Sequence, residues 1–243
     1  MSHPRNPNKR ILYSRFKSDD EKIWDQAGIP VPHDYIRRPK TLARIARIRR
    51  IAAILFAEGG LAGICMHDIG RAAKIAPTSI AYYYSTRERL LHDVLIHHTD
   101  ALLKVVEANF ILHHEKDDPD TWLFDLTHAL LRSVTHLERP GHRVLIHALH
   151  TLPDIERDEI THRLRSVRHA ITQPLARLGG VDWADERLEP ISHAYLAMLS
   201  QASIWFPATE SPDKDAPALE AHARLLVQMG LAGTLSVRNT NAR

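Results

Sequence analysis

The residues best placed to do chemistry together form one run, Pro77-Thr78-Ser79-Ile80-Ala81-Tyr82-Tyr83-Tyr84. Proline suits the first position of a helix, where its missing N–H costs nothing. Thr78 and Ser79 then place two hydroxyls at the helix start, able to meet a base edge or a phosphate. Tyr82 and Tyr83 lie about 100° apart on a helix, so at least one faces outward with a long hydroxyl donor. Ile80 faces inward, and Tyr84 is expected to be a core aromatic. Arg87 opens the next helix, where its cation and the helix dipole both favour phosphate. These groups recognise a polyanion rather than make or break a bond. No catalytic constellation accompanies them: the chain lacks a glycine-rich phosphate loop, Gly-x-Ser-x-Gly, His-Glu-x-x-His and Cys-x-x-Cys. No enzyme activity and no cofactor are expected.

Histidine is the other abundant reactive type. Fourteen of the 17 histidines lie at or after His92. His147 and His150 share a helix face at i, i+3, a spacing compatible with metal ligation. No cysteine joins them, and the adjacent pairs His97-His98 and His113-His114 point apart on a helix, so no metal site is expected. A second reading is a small-molecule pocket lined by Trp122, His128, His136 and His147. The third is scattered exposed or hydrogen-bonded histidines. The spacing leaves the last two open. Cys65 is the single cysteine, which excludes an intrachain disulfide and suits a reducing, cytoplasmic setting. Residues 1–10 contain no apolar stretch of the signal-peptide kind. No apolar run approaches the roughly 20 residues of a membrane span.

The elements that must position the Pro77 run are helices. Thr41 can cap a helix in which Ile45, Ile48, Ala52, Leu55 and Phe56 recur at spacings of three and four. Gly59-Gly60 ends it. A short helix over Met66–Ala73, a tight connection and a second short helix from Pro77 complete a helix-turn-helix unit. In such a unit the second short helix enters the DNA major groove. The expected DNA contacts are Arg47, His67, Lys74, Pro77, Thr78, Ser79, Tyr82, Tyr83 and Arg87. Arg37, Arg38, Lys40, Arg44, Arg47, Arg49 and Arg50 form a carboxylate-free run, suited to nonspecific backbone contact.

Charge divides the chain in the same place. Residues 1–91 hold 17 Lys+Arg against 8 Asp+Glu, while residues 92–243 hold 15 against 21. The net +3 of the whole chain thus hides a basic third and an acidic remainder. Residues 1–38 read as a flexible basic arm with a short helix over residues 19–27, able to reach toward a minor groove. Residues 39–91 read as the DNA-binding domain, and residues 92–243 as a helical ligand-binding and dimerisation domain.

In that second part Ser85-Thr86-Arg87-Glu88 reads as a capping box with Ser85 as the cap, opening a long helix that ends near His114. Asp118-Pro119 starts a helix running to about Glu138. Others are expected over residues 142–150, 153–178 with a bend or break at Pro174, 185–206 and 217–235. Residues 207–216 read as a polar loop. No period-two alternation is sustained anywhere, so strands are not expected.

Three fragments taken in order resemble the tetracycline-repressor (TetR) family of transcriptional regulators. Arg47-Ile48, Ala52, Leu55-Phe56 and Gly59-Gly60 are similar to the first-helix pattern Ile-Leu-x-Ala-Ala-x-x-Leu-Phe-x-x-x-Gly. Asp68-Ile69-Gly70-x-Ala72-Ala73 is similar to Asp-Ile-Ala-x-x-Ala. Ile80-Ala81-Tyr82-Tyr83-Tyr84-Ser85-Thr86-Arg87-Glu88-x-Leu90-Leu91 is similar to Ile-Tyr-x-His-Phe-x-Ser-Lys-Glu-x-Leu-Leu. The resemblance covers residues 44–95. It implies an all-α subunit: an N-terminal three-helix helix-turn-helix domain and a C-terminal helical domain that dimerises and takes a small ligand. Lys74 stands where the family's turn has Gly, and Ala76 where its recognition helix has a Ser cap. Each departure is expected to cost about 1 kcal/mol, leaving the DNA-free head partly mobile.

Small residues on the helix over 185–206 and leucines on the last helix would build a four-helix interface with a second copy. Ala194, Ala197, Leu225 and Met229 are its expected members. The function so read is a homodimeric, ligand-responsive repressor on a near-palindromic operator, with double-stranded DNA, itself and an unidentified small molecule as partners. The alternative is a helical dimer whose weakened head contacts protein instead of DNA.

Overall fold

The computed structural model describes residues 39–206 and 212–240. The expected arm and its helix over residues 19–27 lie outside them. Contacts group Met1–Ala43 as one unit and Arg44–Arg243 as another; of the first, only residues 39–43 are described. Among the described residues the secondary structure is helical and contains no strand. The α-helices are α1 (Pro39–Gly63), α2 (Met66–Ala73), α3 (Pro77–Tyr83), α4 (Arg87–His113), α5 (Pro119–Arg132), α6 (Arg139–Ala148), α7 (Asp154–Gly179), α8 (Leu188–Trp205) and α9 (Pro212–Thr240).

The helix ends follow local chemistry. Gly60 leaves helical geometry inside α1, with φ 68° and ψ 162°, where the Gly59-Gly60 pair was expected to end the helix. The carboxylate of Asp118 accepts the backbone N–H of Thr121 at 3.1 Å, with Pro119 at the first helical position of α5. α4 differs by one residue from expectation. Its cap is Thr86, not Ser85, and the hydroxyl of Thr86 accepts the Arg89 N–H at 3.2 Å. Gly180, in the left-handed region at φ 62°, closes α7.

Longer-range packing overrides the local reading elsewhere. The helix expected to reach Glu138 stops at Arg132, and Ser133–Leu137 form a π-helical turn before α6. Such a turn admits an extra residue and re-aims the helix after it. Pro174 neither breaks nor divides α7. It forgoes one helical hydrogen bond, but the side chain is buried beside Leu175 and Ala176, and packing holds both flanking turns. The last helix likewise continues through Pro217, so residues 212–216 are helical where a loop was expected.

Two apolar clusters lie along α4. Ile45, Ile48, Ala52 and Phe56 of α1 pack with Ile69, Ile80, Tyr84 and the α4 residues Leu90, Leu91, Val94 and Leu95. That cluster does not close on itself; it takes in Val144, Leu145, Leu152 and Ile160. The second joins Leu102 of α4 to Leu123, Leu126, Leu130, Ile171, Leu175, Tyr195, Leu199 and Leu226. α4, with 27 residues and a length of about 40 Å, is therefore core to both. Gly230 lets α9 approach closely, since a Cβ there would lie 2.7 Å from Leu175 and 2.9 Å from Tyr195.

Candidate nucleic-acid interface

The turn between α2 and α3 is built around Lys74. Its backbone is left-handed, with φ 53° and ψ 45°. The N–H of Lys74 donates to the Arg71 carbonyl at 3.2 Å and that of Ile75 to the Gly70 carbonyl at 2.9 Å. That is the Schellman pattern, normally made by glycine. A lysine there carries about 1 kcal/mol of backbone strain. α3 then starts on Ala76, whose side chain offers no cap hydrogen bond. At the other end of the turn unit, Asp68 caps backward. Its carboxylate accepts the Cys65 N–H at 3.1 Å and the Cys65 thiol at 2.9 Å. These two bonds hold the Asp68 carboxyl below the usual carboxylate range.

α3 buries Ile80 fully and presents the opposite face. Thr78 is exposed and Ser79 half-buried. Tyr82 is 83% exposed, against a half-buried Tyr83, and the two rings meet edge to face at 5.2 Å. Arg44, from the first cationic turns of α1, closes an open cleft of about 220 Å³ with Thr78, Ser79, Tyr82 and Tyr83. The cleft thus offers one guanidinium and four hydroxyls to an oxygen-rich anion. Arg44 was legible only as one of seven cations in a run; its position over α3 depends on how α1 packs. Arg47, His67 and Lys74 are all exposed.

Arg87 is engaged elsewhere. Its guanidinium donates to the carbonyls of Leu61, at 2.7 Å, and Ile64, at 3.4 Å. It also lies 3.5 Å from the Glu88 carboxylate. Arg87 thus ties the end of α1 and the approach to α2 to the start of α4. Tyr84 is buried as expected, and its hydroxyl donates to Asp93.

The other expected site residues lie on α5, the π-helical turn, α6, α8 and α9. Trp122 is buried, with the Arg177 guanidinium 5.2 Å from its ring centroid. His128 stacks on Phe124. His136 sits in the π-helical turn, 3.9 Å from Asp215. His147 is exposed. No group of three or more His, Cys, Asp or Glu side chains among the described residues is arranged to hold a metal ion. Ala194 and Ala197 of α8 and Leu225 and Met229 of α9 are exposed, Leu225 by 50% and Met229 by 47%. No described helix is long and apolar enough to cross a membrane.

No family model and no curated protein matches the chain. Solved structures do. A TetR-family regulator from Bordetella parapertussis 12822 aligns at TM-score 0.66 and 24% identity, over 79% of this chain and 96% of that one. The chain has the TetR-family fold. The TetR-family regulator PfmR from Thermus thermophilus aligns at TM-score 0.64 and 20% identity, over 75% and 97% of the two chains. AibR, solved with isovaleryl coenzyme A and operator DNA, aligns at TM-score 0.61 and 17% identity, over 74% and 97%. Within the TetR fold, the cleft of Arg44, Thr78, Ser79, Tyr82 and Tyr83 lies on the second helix of the helix-turn-helix.

Proposed function

We propose that this chain is a DNA-binding transcriptional regulator that works as a homodimer and responds to a small molecule, most simply as a repressor. The observation that carries the DNA reading is the cleft on α3. An exposed tyrosine and two hydroxyls at the start of α3, whose other side is core, line one cleft with the Arg44 guanidinium of α1. Phosphate contacts from Arg44 and Tyr82 would fix the register, and Thr78 and Ser79 would reach base edges. The apolar exposed residues of α8 and α9, including Ala194, Ala197, Leu225 and Met229, supply the face for a second copy. Two copies would set two α3 helices against two half-sites of a near-palindromic operator. Ligand response is supported by the fold shared with AibR, whose complex holds both an acyl-coenzyme A and operator DNA. Among the residues read as ligand contacts, Trp122 is the one placed well inside the core. A ligand that changes the separation of the two heads would cost half-site register and release DNA.

Enrichment of binding sites from random duplex DNA, followed by anisotropy titration, tests the reading. The expected product is a two-fold symmetric site bound at least a thousandfold, in round terms about 4 kcal/mol, more tightly than random sequence. Binding that follows salt alone, with no sequence preference, would overturn it in favour of a head that contacts protein.

A further inference from the structure

His98 of α4 and His142 of α6 form a buried pair, 1% and 2% exposed. Nε2 of His98 lies 2.9 Å from Nδ1 of His142. The chain of contacts continues in both directions. Nε2 of His142 lies 3.2 Å from the Ser200 carbonyl of α8, and Nδ1 of His98 lies 3.4 Å from the Glu138 carboxylate. Glu138 stands between the π-helical turn and α6. Gly141 makes the approach possible, because a Cβ there would sit 3.1 Å from the His98 Cβ.

The partners dictate where the protons are. A carbonyl only accepts, so His142 carries its proton on Nε2 and donates it to Ser200. Burial, and then the neighbouring His98, push the His142 imidazole down to about 3, against the opposing pull of the Ser200 carbonyl. His142 is therefore neutral, and its Nδ1 accepts. Nε2 of His98 must then be the donor between the rings. This leaves Nδ1 of His98 facing a carboxylate. With a second proton, Nδ1 donates to Glu138 and every member of the chain is satisfied. Without it, a nitrogen lone pair faces a carboxylate oxygen inside the protein, and the contact is repulsive.

We propose that His98 and His142 form a one-proton latch joining α4 to α6 and α8, closed when His98 is cationic and loosened when it is neutral. Glu138 and His142 are the titratable groups in contact with His98. His97, next along α4, faces away and feels Arg49, Glu138, Asp93 and Lys104. The closed latch binds one more proton than the open one, so closure is favoured at low pH and lost as pH rises. It joins the helix that leads directly from α3 to a helix of the apolar exposed face. On the regulator reading, DNA affinity would follow the same proton.

The test needs no DNA, so its outcome is separate from that reading. Imidazole nitrogen NMR of the full chain across a pH series should show His98 passing from two ring protons to one while His142 keeps a single proton on Nε2. Hydrogen exchange over residues 138–145 and 198–204, corrected for intrinsic rate, should show opening increase about fivefold or more across the same range. Glu138→Gln and His98→Gln should each flatten that increase; Glu138 is partly exposed, so its variant keeps the fold. A singly protonated His98 throughout the range, or an unchanged increase in Glu138→Gln, would overturn the latch.

Discussion

The guanidinium of Arg49 on α1 grips the carboxylate of Asp93 on α4 with two hydrogen bonds, 2.9 and 3.1 Å long. The Tyr84 hydroxyl, just past the end of α3, donates to the same carboxylate. Burial and the Asp93 charge push the Tyr84 phenol well above its ordinary value, so it remains a donor at all physiological pH. One carboxylate therefore joins α1, the residue that follows α3, and α4. Removing it leaves a partly buried guanidinium and a buried hydroxyl without their partner. Asp93→Ala is expected to destabilise the protein by about 2 kcal/mol. A double-mutant cycle with Arg49→Ala, measured by urea denaturation, should show coupling near 1 kcal/mol in order of magnitude; additive losses would mean the pair contributes nothing as a pair.

The strain in the turn can be relieved directly. Lys74→Gly removes the side chain from a left-handed position and should stabilise the protein by about 1 kcal/mol. Ala76→Ser gives α3 a cap and should add about 1 kcal/mol. In the unmodified chain, amides of residues 64–84 are expected to exchange faster than those in α8 and α9. Equal protection in both regions would show that the lysine and the missing cap leave the head as rigid as the rest.

Arg44 and Arg87 are both cations near α3, but they should fail differently. Arg44→Ala is expected to weaken binding to all DNA sequences alike and to reduce the salt slope by about one. Tyr82→Phe should weaken binding without altering the fold, since its ring is already outside. Arg87→Ala should instead lower the unfolding midpoint, because two carbonyls lose their shared donor. Circular dichroism melts beside the DNA titrations separate the two outcomes.

Acid sensitivity follows from His142. Its imidazole titrates near 6.5 when unfolded and is held down to about 3 in the fold. Between those values the unfolded chain binds the extra proton, so stability falls as pH drops from about 6.5 toward about 3. His142→Gln should show a shallower loss over that interval in denaturation midpoints taken at several pH values. The half-buried Asp185, held down to about 2 by its hydrogen bonds from Arg187, would add a loss only at lower pH, between about 4 and about 2.

The exposed faces of α8 and α9 are tested by charge. Leu225→Asp with Met229→Glu, both on exposed positions of α9, should leave the subunit folded and shift sedimentation to the monomer. Operator affinity should fall with it, because a single head reads one half-site. A folded double variant that still sediments as a dimer would place the interface elsewhere.

The sequence by itself determined what depends on neighbours within one or two helical turns. The Asp118-Pro119 start, the Gly59-Gly60 interruption and the short α2–α3 pair are all set by caps and periodicity acting over four or five residues. Lys74 stood out because the family resemblance on either side placed it where that family's turn has Gly. Ile80 inside and at least one outward tyrosine followed from 100° per residue. The tertiary structure decided whatever required two distant segments to meet. Ser85 and Thr86 are both adequate caps, and the fold uses Thr86. Pro174 could have broken α7, but buried contacts on both sides held the helix together. Arg87 looked like a phosphate ligand until the end of α1 brought two carbonyls to it. Arg44 joined the cleft, and His98 met His142 at a separation of 44 residues, only because the helices bearing them cross. Local hydrogen bonds are written in short sequence intervals; a partner's identity across a core is set by how whole helices pack, and no short interval encodes it.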